Sequence, residues 1–230
     1  MKIRLIIRCL LVISMIGGID VQTRAQLAFG QSKFLGNIAG SSVFSDYMTL
    51  WNQITPENGG KWGSVEGTRD VMSWSNMDLV YNFAKTKAIP VKFHTLIWGN
   101  QQPSWIASLP ADQQLAQVEE WIKQAAARYP NLDMIDVVNE PLPGHAPPSY
   151  KNALGGDGTT GWDWVIKSFE LARYYFPKAK LLINEYNILS SGTNVQTYSQ
   201  IINLLKNRGL IDLGLTYREP IELFMKLRAY

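Results

Sequence analysis

Apolar residues along this chain fall into two alternating rhythms. Short runs with β-branched residues, at 33–38, 50–54, 89–96, 134–138 and 180–183, read as strands. Two of them are continuous apolar runs, as strands buried on both faces require. Between them the apolar positions recur every three or four residues, the period of a helix with one buried stripe. Leu115, Val118, Ile122 and Ala125 form one such stripe, Val165, Phe169, Ala172 and Phe176 a second, and Ile201, Ile202 and Leu205 a third. Asp112 and Asp163 precede two of these stripes, where an acid favours the positive end of a helix. Strand and helix in alternation imply a parallel sheet with right-handed crossovers.

Two α/β architectures meet that description. A doubly wound nucleotide-binding sheet carries a G-x-G-x-x-G turn after its first strand. The segment Phe34-Leu35-Gly36-Asn37-Ile38-Ala39-Gly40 has two glycines at the wrong spacing. In a (β/α)₈ barrel, functional side chains collect instead at the carboxyl ends of successive strands. Glu57-Asn58, His94 with Trp98, Asn139-Glu140 and Asn184-Glu185 each stand at such a position, so the barrel is the expected fold. Residues 142–161, rich in Gly and Pro, read as a long loop after a strand, and no linker divides the chain into separate domains.

The first 25 residues have the layout of a secretory leader: Lys2, Arg4 and Arg8, an apolar run over 9–19, then Thr23-Arg24-Ala25 as a cleavage site. The other reading is a short membrane anchor, but the run is about half of the ~20 residues a spanning helix needs. Cleavage after Ala25 takes away four basic residues and Asp20, bringing the formal charge from +3 to near zero. Net charge then gives no reason to expect nucleic acid or an anionic membrane as partner. Cys9, the one cysteine, leaves too, and with it thiol chemistry and disulfides. Two histidines, His94 and His145, are too few for a His-rich metal site, while carboxylate sites stay open. Export from the cytoplasm, with no membrane association after cleavage, is the expectation.

Glu140 is the leading candidate for chemistry. It follows Met134-Ile135-Asp136-Val137-Val138-Asn139, so an ionisable group stands where a buried strand meets the mouth of the barrel. Cleaving a glycosidic bond requires a proton on the leaving oxygen, and a carboxyl partly shielded from water is suited to supply it. The amide of Asn139 suits a sugar 2-hydroxyl, a contact that strengthens as the oxocarbenium ion develops. Taken alone, Asn-Glu is equally a loop or helix cap. Of eight tryptophans, Trp62, Trp98, Trp105 and Trp162 fall in apparent loops or strand ends beside polar groups, where flat rings suit the C–H faces of sugars. Trp121 and Trp164 lie within helices and read as core.

Four segments occur in order: Ile54-Thr55-Pro56-Glu57-Asn58-Gly59-Gly60-Lys61-Trp62, then His94-Thr95-Leu96-Ile97-Trp98-Gly99-Asn100-Gln101-Gln102-Pro103-Ser104-Trp105, Asp136-Val137-Val138-Asn139-Glu140, and Ile183-Asn184-Glu185-Tyr186-Asn187. Together they resemble the second-, third-, acid/base- and fifth-strand motifs of glycoside hydrolase family 10, the endo-1,4-β-xylanases. The resemblance runs from about residue 34 to 212. It implies a (β/α)₈ barrel with five to six β/α units present, and retaining hydrolysis of internal β-1,4 bonds in xylan. Position by position it implies Glu140 as acid/base and Asn139 as the 2-hydroxyl partner. Glu57, Asn58 and Lys61 match residues binding the xylose on the non-reducing side of the cut, and His94, Trp98 and Gln101 match further contacts around that sugar. Asn184 and Tyr186 match positions near the acid/base and the sugar on its other side. Xylan or xylo-oligosaccharide is the implied partner, with no cofactor and no metal. Gly99 stands where the family commonly has histidine, and Glu185 where it commonly has aspartate.

A retaining glycosidase needs a second, attacking carboxylate roughly 5–5.5 Å from the first. The family places that glutamate at the end of a seventh strand. Here Gly209-Leu210-Ile211-Asp212 leads towards a sixth strand, and Leu213-Gly214-Leu215-Thr216-Tyr217-Arg218-Glu219-Pro220 departs from the family pattern. The expected division is therefore a leader over 1–25, a truncated catalytic domain over 26–212 and an unrelated tail over 213–230, with the nucleophile missing. Glu219 and Glu222 in that tail do not resemble a strand-end nucleophile. Two alternatives accompany the xylanase reading: an inactive barrel that binds xylo-oligosaccharide weakly, and an inverting hydrolase pairing Glu140 with Glu185.

Overall fold

The structure, a computed structural model, describes residues 26–211 and 216–218; the expected leader with Cys9 lies outside the described residues, as do Asp212, Glu219 and Glu222. Six strands, β1 (Gly36–Ala39), β2 (Gln53–Pro56), β3 (Lys92–Ile97), β4 (Met134–Asn139), β5 (Lys180–Tyr186) and β6 (Thr216–Arg218), run in parallel. β1 pairs with β2, and β3, β4, β5 and β6 pair in that order. A parallel bridge between Ile54 and Val91 joins the two sheets, so the strands form one arc in chain order. That arc is the wall of a partial (β/α) barrel.

Helices cover its outer face: α1 (Tyr47–Leu50), α2 (Trp62–Val65), α3 (Ser75–Lys87), α4 (Ala111–Arg128), α5 (Asp163–Tyr175) and α6 (Gly192–Lys206). The stripes read from the sequence are the ones buried: Val118, Ile122 and Ala125 on α4, Val165, Phe169 and Ala172 on α5, Ile201 and Leu205 on α6. Asp112 and Asp163 sit in the first turns of α4 and α5. Every residue of β4 is buried, which is why it reads as an apolar, β-branched run interrupted only by Asp136 before Asn139.

The boundaries differ from the sequence pattern in instructive ways. β1 starts at Gly36 rather than Lys33, and Phe34, Leu35 and Ile38 are exposed. The apolar stretch expected to be a strand from Leu50 begins instead as the last residue of α1. The buried Tyr47 secures that turn, its hydroxyl donating to the carbonyls of Asn37 and Gln53, so pairing starts only at Gln53. α3 was not anticipated, although Met77, Val80 and Ala84 bury one face at helical spacing. β6 falls inside the stretch that departs from the family pattern, with Asn184, Glu185 and Tyr186 of β5 opposite Thr216, Tyr217 and Arg218.

The core is organised around a stack of three indoles. Trp121 of α4 lies between Trp62 and Trp74, centroids 5.9 and 5.4 Å away and rings within 8° and 6° of parallel. Its indole N–H donates to the carbonyl of Leu96 in β3 at 2.9 Å. Trp62, expected to face sugar, is buried here, and its own N–H donates to the buried Glu66. Trp105 is edge-on to Trp62 and donates to the Glu66 carbonyl, and Trp162 packs against the core, so neither is an open platform. Trp121 and Trp164 are buried as expected.

Trp121→Ala empties the middle of the stack and orphans the Leu96 carbonyl. The expected loss is about 3–5 kcal/mol of unfolding free energy by urea titration; a change below about 1 kcal/mol is incompatible with a central role for the stack.

Candidate active site

The carboxyl ends of β2 to β5 bring the sequence candidates together. Glu57 and Asn58 follow β2, and both are exposed. The next residues must pass close to β3: a Cβ at Gly60 would stand 2.6 Å from the His94 carbonyl oxygen, which leaves room only for glycine. The turn delivers Lys61, largely buried, with its ammonium 2.9 Å from Asn58 Oδ1 and 4.7 Å from the centroid of the Trp98 ring. Gln101 Nε2 donates to the same Asn58 oxygen at 3.4 Å. Trp98 completes the line, its indole N–H donating to Glu140 Oε2 at 2.9 Å. Asn58, Lys61, Gln101, Trp98 and Glu140 thus form one connected polar surface. Glu57 stands beside it, its carboxylate without a hydrogen bond or ion pair among the described residues.

Glu140 itself is held at a turn. Its φ of +55° is left-handed, a conformation that costs a non-glycine residue roughly 1–2 kcal/mol. The surroundings impose it: Glu140 N–H donates to the Asn184 carbonyl at 2.8 Å, and the Glu140 carbonyl accepts from Ala146 N–H at 3.1 Å. Strain of this kind is tolerated where neighbours over-determine it, and functional sites are where it concentrates. Beside it Asn139 is buried, its Oδ1 accepting from Asn184 Nδ2 at 2.6 Å. The two amides fix each other's orientation.

Two buried carboxylates lie behind this surface. Asp136 on β4 accepts from Lys92 and His94 Nδ1, each at 2.8 Å. Burial raises its pKa, but the Lys92 charge and the His94 bond outweigh that and hold it at about 2. An ionised Asp136 only accepts, so His94 carries its proton on Nδ1 and turns Nε2 the other way. Neither Asp136 nor Lys92 was singled out in the sequence, although Asp136 heads the quoted acid/base segment.

The second is Glu185 at the end of β5, also fully buried. It accepts N–H bonds from Leu142 at 2.9 Å and Tyr186 at 2.8 Å and pairs with His145 Nδ1 at 2.7 Å. Locked in this way, it is not a catalytic partner for Glu140, which removes the inverting-pair alternative. Tyr186 stacks on the His145 ring, centroids 4.2 Å apart. Desolvation first, then the charges of Glu140 and Glu185, push the Tyr186 phenol above its ordinary pKa.

Both departures from the family pattern now have a local cause. Gly99 N–H donates to the Ala146 carbonyl, and a Cβ there would fall 2.5 Å from the Pro147 carbonyl oxygen. No histidine fits at 99 while the loop after β4 is seated this way. Glu185 has the reach to span from β5 to that same loop. Among the described residues no group of three or more His, Cys, Asp or Glu is arranged to hold a metal ion.

The glycosyl hydrolase family 10 model matches residues 20–215. The chain belongs to that family. This family-10 chain is 48% identical over 156 residues to endo-1,4-beta-xylanase B of Cellvibrio japonicus (strain Ueda107), an alignment covering 67% of this chain and 25% of that relative. Among solved structures, a family-10 protein from Paenibacillus barcinonensis superposes with a TM-score of 0.71 at 24% identity, over 84% of this chain and 64% of the other. Xylanase 10B from Thermotoga petrophila RKU-1, solved with xylobiose, superposes with a TM-score of 0.70 at 24% identity, over 85% and 67%. These superpositions establish the barrel fold. The family-10 chain spans a quarter to about half the length of the curated relatives it matches.

The Asp136 ion pair makes a prediction about acid stability. Its folded pKa lies below the ordinary 3.8, so the pairing stabilises the fold fully above that value and is lost as pH falls towards 2. Between about pH 5 and pH 2 the unmodified protein should lose roughly 2 kcal/mol more stability than Asp136→Asn. Urea midpoints measured across that range test it, and parallel curves for the two proteins contradict the ion-pair account.

Proposed function

We propose that this chain carries the acid/base half of a retaining endo-1,4-β-xylanase site. The observation that carries the reading is Glu140 at the end of β4, its carboxyl held by the Trp98 indole and flanked by the paired amides of Asn139 and Asn184. Xylan cleavage asks for a proton on the glycosidic oxygen, and Glu140 supplies it. Asn139 meets the 2-hydroxyl of the xylose on the non-reducing side, while Glu57, Asn58, Lys61, His94, Trp98 and Gln101 bind that part of the chain. Asn184 supports Asn139, and Tyr186 faces the sugar that leaves. The attacking carboxylate belongs to a strand after β6, as the family resemblance implies. After the first step Glu140, now a carboxylate, takes the proton of the incoming water and the cycle closes with retention. The leader-like start over 1–25 supports export, which fits a polymeric substrate outside the cytoplasm.

A second reading is sugar binding without turnover. It is favoured by Glu185, a carboxylate near Glu140 that is committed to hydrogen bonds and not to attack.

Calorimetric titration with xylohexaose, run beside a reducing-sugar assay on xylan, separates the two. The xylanase reading expects binding that weakens about tenfold or more in Lys61→Ala. In a protein that carries the complete barrel, with the attacking carboxylate, it also expects hydrolysis that falls roughly 10²–10⁴-fold in Glu140→Gln. Binding with no sugar released even by the complete barrel supports the second reading, and xylohexaose failing to bind at all rejects both.

A further inference from the structure

His145 belongs to the loop that leaves Glu140, and that loop turns straight back on the acid. His145 N–H donates to the Leu142 carbonyl at 3.0 Å, and the next N–H, of Ala146, to the Glu140 carbonyl at 3.1 Å. The imidazole is fixed on two sides. Nδ1 is bonded to the buried Glu185, and one face lies against Tyr186 with the rings 18° from parallel. A side chain restrained in this manner has already lost most of its rotamer freedom, so a ligand meeting it gives up little more.

What remains of the ring is its Nε2 edge. Among the described residues Nε2 has no hydrogen-bond partner, and about 13% of the side chain reaches solvent. With Nδ1 bonded to Glu185, Nε2 is the nitrogen left to meet a ligand, an acceptor in the neutral ring and a donor in the protonated one. Tyr186, against which it stacks, is close enough to Glu140 for the carboxylate charge to raise its phenol pKa. Tyr186 ends β5, the strand next to β4 on the side away from β3, so the imidazole stacked on it lies on the β5 side of Glu140 and Trp98 on the β3 side. A pyranose offers hydroxyls around its rim that both donate and accept, and a rigidly held ring nitrogen without a partner suits one of them.

We propose that His145 is a further substrate-binding residue, its Nε2 hydrogen-bonded to a hydroxyl of the sugar on the leaving-group side of Glu140. The assignment rests on the xylan-binding reading above and extends it to a residue of the loop after β4. Glu185 then has a positioning role: it turns the Nε2 edge outward and ties the loop to β5.

The chain has only two histidines, one on each bank, so imidazole NMR reads both at once. In a ¹H–¹³C and ¹H–¹⁵N titration of the whole chain with xylohexaose, His94 reports the non-reducing side and His145 the leaving-group side. Saturable shifts of both, or of His145 alone, are expected. Shifts of His94 alone overturn the His145 assignment and leave the xylan-binding reading intact, whereas no shift of either overturns both. His145→Phe keeps the stack on Tyr186 and removes both nitrogens. Xylohexaose should bind it about three- to tenfold more weakly, the worth of one hydrogen bond. Unchanged affinity in a folded His145→Phe protein is evidence against the proposal.

Discussion

The Trp62–Trp121–Trp74 stack is the contact on which the rest of the structure leans. It joins α2 and the start of α3 to α4, more distant in sequence, and through the Leu96 carbonyl it also grips β3. Stacked aromatics contribute beyond the area they bury, and the pairing is directional, so it sets orientation as well as stability. The bank formed by Asn58, Lys61 and Trp98 is built on it. Lys61 immediately precedes Trp62, and Trp98 follows Leu96 by two residues. The ammonium over the Trp98 ring and the indole bond to Glu140 are thus short-range consequences of a deeper packing arrangement.

Above that core the site follows one design twice. A buried carboxylate, Asp136 on β4 or Glu185 on β5, holds an imidazole by Nδ1, His94 in one case and His145 in the other. A charge with no water around it is costly unless paired, and each carboxylate is satisfied by more than one donor. Asp136 has the Lys92 ammonium as well as His94, and Glu185 has two backbone N–H groups as well as His145. The return on that burial is orientation. Ring nitrogens and the Asn139–Asn184 amide pair are fixed in advance, which lowers the entropy a ligand would lose on binding.

Much of this was legible in the sequence, for identifiable reasons. β4 is buried on both faces, so its apolar run and its terminal Asn139-Glu140 marked both strand and site. Glu57, Asn58, His94 and Trp98 were recoverable because strand-end residues in a barrel converge whatever their separation in sequence, whereas Lys61 and Gln101 were visible only through the family resemblance. The tryptophans were less legible. Trp62 and Trp98 both follow strands beside polar residues, yet one is in the core and the other at the site; only the α4 ring at Trp121 decides which. The first strands were misplaced because Leu50 and Trp51 carry strand-like chemistry while the Tyr47 hydroxyl holds the backbone in a turn. His145 gave no signal, since it lies in a Gly- and Pro-rich loop and its partner Glu185 is 40 residues away.

The two departures from the family pattern, Gly99 and Glu185, are best understood as parts of one arrangement. The loop after β4 is pulled towards β3 by Gly99 N–H on the Ala146 carbonyl and by a reciprocal pair of bonds between the Gln102 amide and Ser149. Such a seating requires position 99 to lack a Cβ, because the Ala146 and Pro147 carbonyls occupy that space. The same loop must also be fastened to β5, and Glu185 reaches Leu142 N–H and His145 Nδ1 from there. Held from both sides, the loop presents Ala146 N–H to the Glu140 carbonyl and stabilises the left-handed turn that aims the acid. A histidine at 99 would push the loop from one side, and a shorter acid at 185 would loosen it from the other. The geometry of Glu140 is therefore sensitive to two residues that form no bond with its carboxyl group.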